Sequence, residues 1–164
     1  MSDPKNLKEL YLEEMGDLWS ANDQMRKTVV KMAETASDSE LKSQLEKSAK
    51  GIQDHTDTIK TLISEAGGNV EKEHCKGMEG LVTEAHKHAV DADMPAAVKD
   101  VSIISQYHRM SHYGIAGFGT AKAYAEALGL QDHARKLDGM VSDIYAQEAY
   151  MSRLAERSKN LQAV

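Results

Sequence analysis

Tyr107-His108-Arg109-Met110-Ser111-His112-Tyr113-Gly114-Ile115-Ala116-Gly117-Phe118-Gly119-Thr120 is the stretch on which the fold turns. Around it Val98, Val101, Ile104, Tyr107, His108, Ser111, Ile115, Phe118 and Tyr124 recur every three or four positions, which is one stripe of a helix running from Pro95 to a stop at Gly129. The stretch also holds two histidines four apart and three glycines. In an isolated helix Gly114, Gly117 and Gly119 would together cost about 2 to 3 kcal/mol against alanine. Tertiary packing has to offset that cost, either because another backbone comes close, within a bundle or across a dimer, or because a local bulge aims His112 or Tyr113.

The same period appears on both sides. Asp3 is placed to cap a first helix with Pro4 at its first position, and Leu7, Leu10, Tyr11, Glu14, Leu18, Asn22, Met25, Val29 and Met32 form its stripe over residues 4–35. Ser37-Asp38-Ser39-Glu40 has the spacing of a capping box, after which Leu41, Leu45, Ile52, His55, Ile59 and Leu62 carry a second helix, 38–66, to Gly67-Gly68. A polar connection containing Cys75 leads to a shorter helix over 77–91, with Met78, Leu81, Val82, Ala85 and Val90 on its apolar side. The helix of the opening stretch spans 95–128, and a last one spans 131–160 with Leu137, Met140, Val141, Ile144, Glu148, Met151 and Leu154 inward.

Four helices of about thirty residues, each ~45 Å long, suit an all-α four-helix bundle. Short turns make each of the two pairs antiparallel. The long connection between the pairs, carrying its own short helix, predicts a ferritin-like crossover in a single domain over residues 1–164. Composition agrees, since 2 prolines and 5% aromatics disfavour a strand-rich chain. A net charge of −6, with the 20 basic residues interspersed among acids, argues against nucleic acid as a partner. No apolar run approaches the ~18 residues of a membrane span, and the amino-terminal segment lacks an apolar signal core, so the expected location is cytoplasmic. One cysteine permits no internal disulfide.

Bundle interiors become metal sites where carboxylates and imidazoles from several helices meet at one level. The candidates are Glu14, His55, His108, His112 and Glu148, with Asn22 on the same stripe as Glu14. His108 and His112 lie one turn apart and are able to face one ion. A single inward histidine is more often bonded to a carbonyl or hydroxyl than to a metal, and an inward glutamate often pairs with a base. Asp54 and Asp57 are read as solvent-side charges, and His74, His86, His88 and His133 as surface residues. Trp19, Tyr107 and Tyr113 are expected to fill the core and hydrogen-bond at its edge.

The segments Trp19-Ser20-Ala21-Asn22-Asp23-Gln24-Met25, Cys75-Lys76-Gly77-Met78-Glu79-Gly80-Leu81 and His112 to Thr120, continuing through Ala125-Glu126-Ala127-Leu128-Gly129-Leu130, resemble the ferritin-like family of bacterial stress proteins typified by YciE and YciF. The resemblance implies a cytoplasmic four-helix domain, often dimeric, able in its better-matched members to hold two iron or manganese ions. The chain departs from that pattern where the metal would be bound. Asn22, Ser111 and Gly114 stand where such members carry glutamate, Lys50, Gly51 and Ile52 replace a glutamate-rich stretch beside His55, and Ser142-Asp143-Ile144 corresponds to a run of glutamates. Only Asp143 and Glu148 remain carboxylates. Two dications need several anionic oxygens. The expectation is therefore a non-catalytic, dimeric stress protein with a degenerate di-metal site. The alternative is a metalloprotein that acts on peroxide or oxygen through iron or manganese in a rebuilt, histidine-rich site.

Overall fold

The computed structural model describes residues 3–69 and 73–157. Its elements are α1 (Leu7–Thr35), α2 (Ser39–Glu65), α3 (Lys76–Ala85) running on into a π-helical turn (His86–Val90), α4 (Ala96–Ala127) and α5 (Gln131–Arg157). No strand occurs among the described residues, and no helix is long and apolar enough to cross a membrane. Each helix lies within a few residues of its expected span. The expected end of the last one, at residue 160, falls outside the described residues.

Caps explain most of the differences at the ends. The first helix starts at Leu7, not at Pro4, because Asn6 is the better cap: its Oδ1 accepts from Glu9 N at 3.0 Å while Glu9 Oε2 accepts from Lys5 N at 2.8 Å. Likewise Asp38, and not Ser37, caps α2 through Leu41 N at 2.8 Å. Ser37 is drawn away by Asp100, whose carboxylate accepts from Ser37 N at 2.8 Å, Ser37 Oγ at 2.5 Å and Asp38 N at 3.0 Å. That carboxylate fastens the α1–α2 turn to the start of α4. At their other ends α2 and α4 stop as read: Gly67 and Gly129 have φ of 75° and 73°, a conformation costly for side chains with a Cβ.

The four long helices form a ring in which α1 lies between α2 and α4, and α5 closes it against both. Since Asp100 meets the end of α1 while His133, at the start of α5, meets Tyr11 near the start of α1, α4 runs antiparallel to α1 and parallel to the diagonal α2. Parallel diagonal helices require a return connection along the bundle. α3 supplies it, running beside α1 from Cys75 near Ser20 to His86 near Thr28 and packing on both α1 and α4. The crossover topology read from the sequence is present.

Burial divides the core into two bodies. Met25, Val29, Met32, Leu45, Ile103, Met110 and Met151 fill one half of the bundle. Tyr11, Met15, Leu18, Ile59, Leu62, Phe118 and Leu137 fill the other. The polar positions Asn22, His55 and Ser111 lie along the chain between residues of the two halves.

Several surface assignments are corrected. His133 is only 6% exposed, held between the Tyr11 hydroxyl at 3.0 Å and Glu65 at 3.2 Å, because a helix start tucked between the start of α1 and the end of α2 is interior. His86 is half-buried against Thr28 Oγ1 at 3.4 Å. Cys75 of the polar connection is interior: it caps α3 from a buried position, and its Sγ lies 3.0 Å from the Tyr113 hydroxyl. Val98, expected inward, is 48% exposed, since Asp100 and not Val98 turns toward the α1–α2 end.

Candidate functional site

Three of the five candidate ligands converge. His108 Nδ1 lies 3.1 Å from Glu148 Oε1, and His112 Nε2 contacts the same oxygen. One ligand atom from each falls within 4.8 Å of the others. The helical interval of four brings both rings to one side of α4, where α5 presents Glu148. Two imidazoles and one carboxylate are a donor set for one divalent transition metal. His112 is 61% exposed and Glu148 15%, so the cluster sits at the seam of α4 and α5 and not in the bundle centre.

The other two candidates are elsewhere. His55 Nε2 pairs with Asp143 Oδ2 at 3.1 Å across α2 and α5, and its ring meets Phe118 edge-on. Glu14 faces α4 beside Gly117, and burial, with Asp17 and Glu13 adding to it, pushes its carboxyl above the usual range. The five residues are therefore not one rebuilt site. Asp54 and Asp57 are exposed, as expected, and bond along their own helix to Lys50 and Gln53.

Between the two halves of the core lies a cavity of about 190 Å³. Its wall includes Asn22, Gly51, Ile52, His55, Ser111, Gly114 and Asp143, each at or beside a position where the resemblance implies a metal-binding acid or its histidine partner. The wall offers one imidazole and one carboxylate, already paired with each other, and Asp143 is 72% exposed at the rim. Asn22 Nδ2, on a residue only 6% exposed, has no hydrogen-bond partner. A neutral amide brings no negative charge with which to balance a cation. These residues do not fit two dications, whose charge needs several anionic oxygens.

Of the three aromatic residues expected in the core, Tyr107 lines the cavity, while Tyr113 and Trp19 lie outside its wall. Tyr107 is buried and its hydroxyl bonds Ser48 at 2.7 Å; burial is the main cause that holds its phenol protonated beyond the ordinary tyrosine range. Ser111 Oγ lies next to that hydroxyl, where it works against the effect of burial, and makes no other hydrogen bond. Tyr113 donates to Asp17 at 2.8 Å; Trp19 carries Lys60 Nζ over its ring at 4.9 Å, but its buried Nε1 has no hydrogen-bond partner, against the expectation. Lys47, Ser48 and Gln147 also reach the cavity wall and were not singled out from the sequence. Gln147 lies four residues past Asp143, a spacing that puts both on one face and was the available signal.

An all-α bundle with a crossover helix and this central level of polar positions defines the class. The chain belongs to the DUF892 family, a domain of unknown function, whose profile matches residues 6–164. It is 24% identical over 160 residues to Protein YciF of Escherichia coli (strain K12), spanning 97% of this chain and 96% of that one. The crystal structure of the E. coli stress protein YciF superposes with a TM-score of 0.90 over 96% of this chain and 99% of its own, at 24% identity. YcfI of Rhodopseudomonas palustris, a protein provisionally described as structural, gives a TM-score of 0.86 at 26% identity over 92% and 95% of the two chains.

Proposed function

We propose that this chain is a YciF-type stress-response protein whose central di-metal site has degenerated, and that it acts as a non-catalytic helical homodimer in the cytoplasm. The observation that carries the reading is the cavity wall, where Asn22, Gly51, Ser111 and Gly114 supply no carboxylate. The likeness to a stress protein and to one described as structural supports a role in which the bundle itself, and not a reaction, is what is used. The partner in the dimer is a second copy of the chain; nucleic acid and membrane have no part in the reading.

A second reading is favoured by the convergence of His108, His112 and Glu148. A single iron or manganese ion there would make the chain a mononuclear metalloprotein, with peroxide or oxygen as the substrate class. Metal analysis of untagged protein, with peroxide consumption measured beside it, separates the two. The first reading predicts less than stoichiometric metal and peroxide loss equal to a buffer control. The second predicts about one ion per chain, abolished by His108→Ala and retained by His55→Ala. Loss of stoichiometric metal on His55→Ala would contradict both, because His55 lies outside the three-residue cluster.

A further inference from the structure

The central cavity has the properties of a small-molecule site. Its volume of about 190 Å³ exceeds the ~150 Å³ of an apolar cavity known to admit benzene, and its wall is largely apolar, with Met25, Ile52, Phe118 and Ile144 exposed to it. Within this wall Asn22 Nδ2 on α1, on a residue 6% exposed, lacks a partner, and Ser111 Oγ on α4, on a residue 2% exposed, has only the Tyr107 hydroxyl beside it. Unpartnered buried polar groups in a native core are uncommon and costly. The Asn22 amide nitrogen donates and the Ser111 hydroxyl is able to donate, so an acceptor oxygen is a counterpart that suits both. Lys47 stands on the wall as an exposed cation, and with Asp143, also exposed, it marks the side on which the cavity reaches solvent between α2 and α5.

We propose that this cavity binds a small organic molecule with an apolar body and a carbonyl or carboxylate oxygen, the oxygen accepting from Asn22 and Ser111 and the body packed against Phe118 and Ile144. The proposal rests on the reading that no metal pair occupies the bundle centre. Loss of the acids and opening of the wall at Gly51 and Gly114 are then two sides of one change: a cage for cations becomes a pocket for an acceptor. In the bound state the oxygen takes the place of water on these two groups, which ties part of the affinity to the oxygen and not to hydrophobicity alone.

Benzoate and toluene are suitable probes, since they share a ring and differ in the oxygens. Titrated into ¹⁵N-labelled full-length chain, benzoate is expected to shift the Asn22 side-chain amide and the Ser111 backbone amide saturably, with toluene at least about tenfold weaker. Asn22→Leu should remove most of that preference. Gly51→Leu, at a wall position where an added Cβ meets nothing within 4 Å, should abolish binding of both probes while raising Tm. Toluene binding as tightly as benzoate, or no saturable shift with either probe, would overturn the proposal. The reading beneath it fails separately: stoichiometric Mn²⁺ retained by the His108→Ala chain and competing with benzoate would show that the cavity holds metal, and would defeat both.

Discussion

At the residue scale, the half-buried carboxyl of Glu14 is the clearest titratable group. Burial, with Asp17 and Glu13 close by, pushes it up from its ordinary value. A carboxyl whose pKa is higher in the folded than in the unfolded chain favours folding most when protonated, and that advantage is lost as pH rises through the folded pKa. Glu14→Gln should therefore raise Tm at about pH 7 and leave it nearly unchanged at about pH 4, as read by thermal melts. An equal rise at both would mean that charge is not the cause. Tyr11 behaves in the same sense at the other end of the scale. Burial first, and Glu65 second, push its phenol to about 12, so stability should decline as pH climbs from about 10 toward 12. Alkaline melts of the wild type should show that loss and Tyr11→Phe should lack it; the same alkaline loss in both would place its origin elsewhere.

Glu14 also shows where sequence reasoning stopped. Its place on the α1 stripe was legible from the period, but not which level of the bundle it shares with other ligands. That depends on the stagger of four helices, which a one-dimensional pattern does not encode. His108 and His112 were legible as a pair because both lie on one helix; their meeting with Glu148 required the register of α5 against α4.

At the element scale, the glycines of α4 divide by what surrounds them. The helix is continuous, without the bulge considered from the sequence; the π-helical turn lies instead at His86–Val90. A Cβ at Gly117 would stand 2.5 Å from Leu18 Cδ2 and 3.2 Å from Glu14 Oε1, so α1 packs there through side chains that need the missing atom. The close approach is by side chain and not by backbone. At Gly119 a Cβ would meet nothing within 4 Å. Gly117→Ala is predicted to destabilise by about 1 kcal/mol, overpacking of roughly 2 kcal/mol partly offset by helix propensity, whereas Gly119→Ala should stabilise by about 1 kcal/mol. Urea titrations of the two variants check this; equal shifts would remove the packing explanation. The sequence showed that these glycines needed a reason but not that the reasons differ. Stops at Gly67 and Gly129 were readable because cap geometry is local. The starts were misread at Asp3 and Ser37 because Asn6 and Asp38 compete for the same role, and the Asp100 bonds that decide the second case come from a helix more than sixty residues away.

At the scale of the whole molecule, the account rests on charge. The bundle shares its architecture with the E. coli stress protein, with a TM-score of 0.90, and the level between the two halves of its core is lined by an amide, a hydroxyl and glycines in place of a set of carboxylates. Two packed apolar bodies hold the helices together. The long-range ring of helices was legible in the lengths of helices and connections. The cavity was not, since empty space is a property of side chains from four elements at once.

Restoring the acids tests the central claim most directly. Manganese bound per chain should be measured for untagged wild type and for a chain carrying Asn22→Glu, Ser111→Glu and Gly114→Glu, each also with His108→Ala to remove the surface cluster. The account predicts no stoichiometric ion in the His108→Ala chain and a gain of about two ions when the three glutamates are added. Two ions per chain in the His108→Ala protein with Asn22, Ser111 and Gly114 unchanged would contradict it.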